Sequence, residues 1–415
     1  MKKKIIIILK IILRSKFIFK TPSQNELIVF DKMSIYDLSL SLDKINFFTL
    51  ETRIESIKQV YLSYKILKKI FKNFSKGNLF TVYLVSLIEI IKPKVVITSI
   101  DNSFKFSQVA KILEKKTNFI AIQNATRIDY LEWDYYYKKK KLKKNYLENL
   151  YIPNLLCHGE YEKEVFTKLN IKIKNFYPIG NLRLANAIFN IKKDKSILNE
   201  KISYDICLIA EYTVPRTHRV LKESILHSIV MQNSDVEPGY YNVAKYTIKF
   251  CKKHNLKLAI PLKRDVKNNH EMHKVEIDFF KKNLSKDDYD YAEKCFIEKK
   301  EKKFTSFRTI MDSKVAIGVT TSLLRDKIAL GGKILACNLT KLELNDFPIS
   351  GICKLKDFSY EEFEKRLLEI YSISKESYFS KIDKDRNYVG KYDENYSSID
   401  LVREKLSHFG VSKNY

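Results

Sequence analysis

The stretch that most constrains this chain runs from Asp312 to Asn338, DSKVAIGVTTSLLRDKIALGGKILACN. Lys314 to Val319 is a short apolar run of the length a buried strand needs. Thr320-Thr321-Ser322 follows, three small hydroxyl residues where a helix should start. Leu323 to Leu330 carries apolar residues at helical spacing, Gly331-Gly332 stops the helix, and Ile334 to Cys337 is a second strand. The pattern predicts a βαβ unit. Its strand-to-helix turn gathers free backbone N–H groups, hydroxyls and the positive end of a helix dipole, which together make a seat for a phosphate. Arg325, one turn further in, adds charge. The competing reading is an ordinary helix cap.

The same alternation recurs along the chain. Glu26 to Asp31 and Phe47 to Leu50 read as strands, Ile54 to Phe71 and Leu79 to Ile91 as helices, and Lys94 to Ser99 as a buried strand closed by the polar turn Asp101-Asn102-Ser103. A helix from Phe104 to Glu114 leads to the strand Asn118 to Gln123, which ends at Asn124-Ala125-Thr126-Arg127. Pro153 to His158 is another strand, Glu160 to Leu169 a helix, and Phe176 to Ile179 a strand. Residues 191–203 are lysine-rich and weakly apolar, the character of a linker. A second alternation opens at Asp205 to Ala210, closed by Glu211, with helices over Thr217 to Val230 and Tyr240 to His254. It continues through the strand Leu256 to Pro261, followed by Lys263-Arg264, and the short helix Thr305 to Met311, and helices over Ser359 to Ile373 and Asp400 to Ser407 close the chain. Strands alternating with helices predict parallel sheets covered on both faces, whose ligands bind beyond the carboxyl ends of the strands. Asp101, Asn102, Gln123, Asn124, Arg127 and His158 all fall at such ends. Each also has a structural reading, as a helix cap or a strand-end side chain.

Composition sets bounds. At 415 residues, 45% of them hydrophobic, the chain can fill two cores, and 10 Gly and 8 Pro argue against collagen-like, disordered or β-sandwich architecture. The formal net charge of +27 suits anionic partners. Much of that lysine also reads as solvated surface in a chain rich in Lys, Ile, Asn and Tyr. No zinc-finger spacing, RNP strand or KH-type loop occurs, so no nucleic-acid partner is expected. Six scattered cysteines without a CxxC pair predict buried thiols in a reducing cytoplasm. The start, MKKKIIIILKIILRSKFIFK, is too short and too charged to span a bilayer. Two readings stay open for it: a segment lying among lipid headgroups on the cytoplasmic face of an inner membrane, or an ordinary strand or packed helix. Asp129 to Tyr151, with Trp133, Tyr135 to Tyr137 and the Lys138 to Lys144 cluster, reads as an aromatic-basic grip or as a solvated insertion.

The segments KPKVVITSIDNSFKFSQVAK, FIAIQNATR, CHGEYEKEVF, FYPIGNLR, DICLIAEY and FTSFRTIMDSKVAIGVTTSLLRDKIALGGKILACN resemble the bacterial surface carbohydrate biosynthesis family, GT-B-like glycosyltransferases. A looser similarity runs to CDP-glycerol glycerophosphotransferases and capsular Kdo transferases, and the resemblance spans about Glu26 to about Asn338. It implies an α/β fold, GT-B-like, with two Rossmann-like domains whose parallel sheets face a central cleft. The expected division is a basic apolar segment at 1–24, an acceptor domain at 25–190, the linker at 191–203, a donor domain at 204–375 and a helical tail at 376–415. Two departures stand out: Thr320-Thr321-Ser322 replaces the family's Ser-Thr turn, and Gln123-Asn124-Ala125 replaces Gln-Asn-Gly.

The implied activity is glycosyl transfer from a nucleotide-activated sugar, with no separate cofactor, onto a lipid-linked or oligosaccharide acceptor in lipopolysaccharide or capsule assembly. Thr320, Thr321 and Ser322 match the donor-phosphate turn, Ser306 and Arg308 the segment before it, and Lys263, Arg264 and Arg325 supply further charge. Asp101, or His158, is the candidate base for the acceptor hydroxyl, with Asn102, Gln123, Asn124, Arg127 and Glu211 lining the acceptor cleft. No metal is expected: the DxD spacings at Asp288/Asp290 and Asp383/Asp385 lie among lysines, and the E-x7-E pairs Glu293/Glu301 and Glu361/Glu369 do not bracket the turn. A CDP-alditol phosphotransferase of the same fold and a non-catalytic scaffold of the assembly complex are the alternatives.

Overall fold

The protein is described by a computed structural model covering residues 14–53, 57–127, 146–194, 203–211, 233–263, 266–267, 270–299 and 304–412. The N-terminal half supplies β1 (Lys16–Ile18), β2 (Leu27–Phe30), β3 (Phe48–Leu50), β4 (Gln59–Tyr61), β5 (Val95–Thr98), β6 (Asn118–Ile122), β7 (Tyr151–Cys157) and β8 (Lys172–Pro178). Between them run α1 (Ser34–Leu38), α2 (Tyr64–Asn73), α3 (Leu79–Ile91), α4 (Phe104–Leu113), α5 (Tyr161–Lys168) and α6 (Leu182–Lys193). Six of these strands form one sheet in the order β3-β2-β5-β6-β7-β8, every pair parallel. The four-residue runs LIVF and VVIT of β2 and β5 are buried at every position, which is why they lie inside the sheet with helices on both faces.

The C-terminal half repeats the plan with β9 (Tyr204–Leu208), β10 (Leu258–Pro261), β11 (Phe296–Ile297), β12 (Ser313–Gly318), β13 (Lys333–Asn338) and β14 (Lys354–Lys356). Its helices are α7 (Asn233–Lys253), α8 (His270–Asn283), α9 (Lys286–Cys295), α10 (Thr305–Met311), α11 (Ser322–Ala329), α12 (Tyr360–Ser372), α13 (Lys375–Phe379) and α14 (Ser398–His408). The sheet order β11-β10-β9-β12-β13-β14 is again all parallel and is that of a doubly wound dinucleotide-type fold. The molecule is therefore built of two Rossmann-like domains.

Several elements differ from the sequence expectation. The helix expected over Ile54 to Phe71 begins only after Ser63, whose hydroxyl caps the Ile66 N–H at 3.4 Å. Gln59–Tyr61 is instead β4, paired parallel to β1 in a two-stranded sheet. That pairing joins residues more than forty positions apart and leaves no mark on local periodicity. The helices α8 and α9 fill a stretch where no element was assigned. The tail is no appendage: Ile399, Val402 and Leu406 of α14 enter the N-terminal core beside Leu27 and Val29. The chain crosses back through residues 388–391, with the Lys391 N–H on the His158 carbonyl at 2.9 Å. Gly180, at φ +85°, makes room for it, since a Cβ there would stand 1.9 Å from the Lys391 carbonyl oxygen.

Expectations on Thr217 to Val230, on the Trp133 loop from 128 to 145, on Arg264 and on residues 1–13 lie outside the described residues. So does most of the linker, which α6 enters as far as Lys193.

Candidate active site

In the C-terminal sheet the strand order reverses between β9 and β12, so the chain leaves those two strands in opposite directions and opens a crevice beyond their carboxyl ends. The βαβ unit of the sequence puts its turn there. Thr321 is the N-cap of α11, its hydroxyl accepting the Leu323 N–H at 3.2 Å. The cap and the anion seat therefore coexist in one turn. The seat, however, is filled. Glu211, the residue that closes β9, accepts from the Val319 N–H and from the Thr320 N–H at 2.8 Å. Glu211 was expected in the acceptor cleft; it lies on the turn after β12, because β9 and β12 are neighbours and their ends meet. The remaining cavity beside it, bounded by Tyr240, Phe280 and Gly318, measures ≈ 20 Å³, the size of a water.

Glu211 keeps some exposure, yet lost hydration pushes its carboxyl up to about 7, against the opposing pull of the Val319 and Thr320 N–H groups and the charge of Lys263. That pull places Lys263 within electrostatic reach of the turn; its own N–H is held by Glu276 at 2.9 Å. Ser306 and Arg308 lie on α10. Arg308 turns to Asp312 at 3.4 Å, at the amino end of β12, so the length of that strand separates its charge from the turn.

On the N-terminal side, Asp101 is buried with both oxygens on Arg127, one of them 2.7 Å from Nε. The geometry makes Asp101 the acceptor of an ion pair rather than a base open to a substrate. Asn124 joins the pair, its amide oxygen 3.1 Å from the Arg127 guanidinium. Asn102 is exposed at the turn. Gln123 is buried and bridges two elements: its oxygen takes the His158 N–H at 3.1 Å and its amide donates to Glu162 at 2.7 Å. His158 is buried with Nε2 lacking a hydrogen-bond partner. Burial first, then the charges of Arg325, Arg127 and Arg183, draw it down to about 3, so the imidazole is neutral at neutral pH.

Arg325 departs furthest from expectation. It points away from the Thr320 turn and crosses to the N-terminal domain, pairing with Glu162 at 2.5 Å and lying over the Tyr161 ring at 5.1 Å. One residue on, Asp326 accepts both bonds of the Asn181 amide at 3.0 Å. These contacts clamp α11 against α5 and the start of α6. Glu162, Asn181 and Asp326 carried no signal in the sequence, since each reads as one more polar helix or turn residue.

Three of the four aspartates at DxD spacing are spent on local structure, Asp383 by accepting the Ser350 N–H at 2.6 Å. Asp288 pairs with Lys252 at 2.7 Å and Asp385 caps the Asn387 N–H at 2.7 Å. Among the described residues no three His, Cys, Asp or Glu side chains group as metal ligands, and no helix is long and apolar enough to cross a membrane.

No protein-family model and no curated protein matches the chain. Solved structures of similar overall arrangement include a UDP-GlcNAc 2-epimerase from Neisseria meningitidis bound to UDP-GlcNAc, at 14% identity and TM-score 0.44 over 92% of this chain and 98% of that one. The wall teichoic acid polymerase TagF matches at 12% identity and TM-score 0.47, over 93% and 90%. A trehalose-phosphate synthase from Burkholderia xenovorans matches at 8% identity and TM-score 0.45, over 92% and 98%.

Proposed function

We propose that the protein is a glycosyltransferase that carries a sugar from a nucleotide donor to a lipid-linked or oligosaccharide acceptor in the assembly of a bacterial surface polysaccharide, without a metal ion. One observation carries the reading: at the topological switch point, the turn after β12 holds an anion on backbone N–H groups at a helix start. Here the anion is the Glu211 carboxylate. A donor diphosphate has the same needs and more charge, and it takes the seat as Glu211 withdraws. Thr320, Ser322 and Lys263 then stabilise the leaving diphosphate.

His158 is the better candidate for the acceptor's proton, because Asp101 is committed to Arg127. The neutral imidazole has a free nitrogen, and a dianionic donor nearby offsets the three arginine charges that hold it low. Asp101 then acts through Arg127 and Asn124, fixing the loop that follows β6.

The occupied seat favours a second reading, a scaffold of the assembly complex in which Glu211 replaces the donor permanently. A panel of UDP-, CMP- and CDP-sugars separates the two. The transferase reading expects one donor to raise the melting temperature and to release free nucleotide when acceptor is added. A CDP-alditol giving the signal instead assigns the phosphotransferase activity. No shift with any donor, for wild type and for Glu211→Ala alike, rejects catalysis.

A further inference from the structure

Among the described residues, the outer face of α2 lacks a partner. Ile66 and Asn73 point inward, Asn73 bonding Ser86 at 3.1 Å and Glu89 at 3.0 Å on α3. The opposite face carries Tyr64, Leu67 and Phe71 at helical spacing, followed by Phe74 in the short turn that continues the helix. Tyr64 is 79% exposed, Phe71 78% and Phe74 67%. Phe19 adjoins them, because the Thr21 hydroxyl meets that of Ser63 at 2.9 Å and the Leu62 N–H reaches the Ile18 carbonyl. Eight of the twelve large apolar side chains exposed among the described residues lie between Phe19 and Leu79. Exposed apolar residues scattered singly need no explanation, but a cluster on one helix face does.

Charge identifies the occupant. From Ile57 to Ile88 the chain has no Asp or Glu and six lysines, at 58, 65, 68, 69, 72 and 76. Lys69 and Lys76 turn to Glu89, at 3.3 and 3.7 Å. Lys65, Lys68 and Lys72 flank the aromatic face, exposed and with no carboxylate partner among the described residues. Interfaces between proteins are depleted of lysine, and a symmetric pair of copies would set these lysines against each other. Bulky apolar side chains rimmed by lysines match the boundary of an anionic bilayer, where rings enter the acyl region and ammonium groups reach lipid phosphates.

We propose that α2, with Phe19 and Phe74, is a docking surface for a negatively charged lipid bilayer. The proposal stands apart from the transferase reading, since it uses no residue of the crevice. The test is sedimentation of the full chain with vesicles of phosphatidylcholine alone and of phosphatidylcholine with one quarter phosphatidylglycerol. Wild type is expected to bind the anionic vesicles, less so as salt rises. Leu67→Glu/Phe71→Glu/Phe74→Glu is expected to lose at least tenfold of that affinity, and Lys65→Gln/Lys68→Gln/Lys72→Gln on the order of a hundredfold. Both variants should keep the wild-type unfolding midpoint, because all six side chains are exposed. Three outcomes overturn the proposal: equal binding to neutral vesicles, wild-type binding by the glutamate variant, or a dimer of the wild type that the glutamate variant abolishes.

Discussion

The two domains have the same layered plan but treat the negative charge at their switch points in opposite ways. In the N-terminal sheet the reversal lies between β2 and β5. There Asp37 takes the Ser99 hydroxyl at 2.9 Å and two bonds from Arg183 at 2.9 and 3.0 Å, while Asp31 takes the Thr52 hydroxyl and the Arg53 guanidinium. One strand over, Asp101 is closed by Arg127. Each carboxylate meets a guanidinium, so this rim is locked by charge. In the C-terminal domain Glu211 meets peptide N–H groups, the Thr320 hydroxyl at 3.5 Å and the field of Lys263, with no guanidinium partner among the described residues. A carboxylate held by backbone dipoles leaves behind a seat another anion can take; one held by arginine leaves behind a buried cation. The contrast is the physical ground on which the donor site is proposed for the C-terminal side.

The largest effect tests the locked side. Arg127→Ala strands the buried Asp101 charge and should cost about 3–5 kcal/mol in urea unfolding. A loss under 1 kcal/mol would mean that the N-terminal rim is no more charge-locked than the other. Next comes the pH dependence of the unlocked side. Glu211 and Asp326 both carry carboxyls raised by burial to about 7 in the folded protein. The native state therefore holds protons that the unfolded chain releases above the ordinary carboxylate range. The stability from these groups is full below about pH 4, and it is lost as pH rises through about 7. Glu211→Gln should flatten the fall in melting temperature between pH 5 and 8, and Glu211→Gln/Asp326→Asn should flatten it further. An unchanged slope breaks the contrast. The smallest effect separates cap from seat. Thr321→Ala removes the hydroxyl that caps Leu323 and should cost about 1 kcal/mol. Nucleotide affinity should change little, because the anion is held by N–H groups that remain.

Much of the architecture was legible because buried parallel strands are written as unbroken apolar runs. VVIT, NFIAI and KILACN needed no tertiary knowledge to be recognised. Gln59–Tyr61 was misread as helix because its identity as a strand depends on β1, far away in sequence. The helix start at Thr320 was legible from its hydroxyls and following glycines, yet Glu211, which meets its N–H groups, was expected in the acceptor cleft. Arg325 was read as phosphate-facing because a position one turn into a helix says nothing about which domain lies beside it.

By itself, then, the sequence determined the alternation of strands and helices, the two cores and the strand-to-helix turn at Thr320, since all three rest on backbone propensity and local apolar pattern. The tertiary structure alone decided which charges meet. Glu211 reaches the turn because β9 and β12 are adjacent, and Arg325 reaches Glu162 because two domains close on α11. Electrostatic partnership is fixed by distance and burial in space, and neither is encoded in the spacing of residues along the chain.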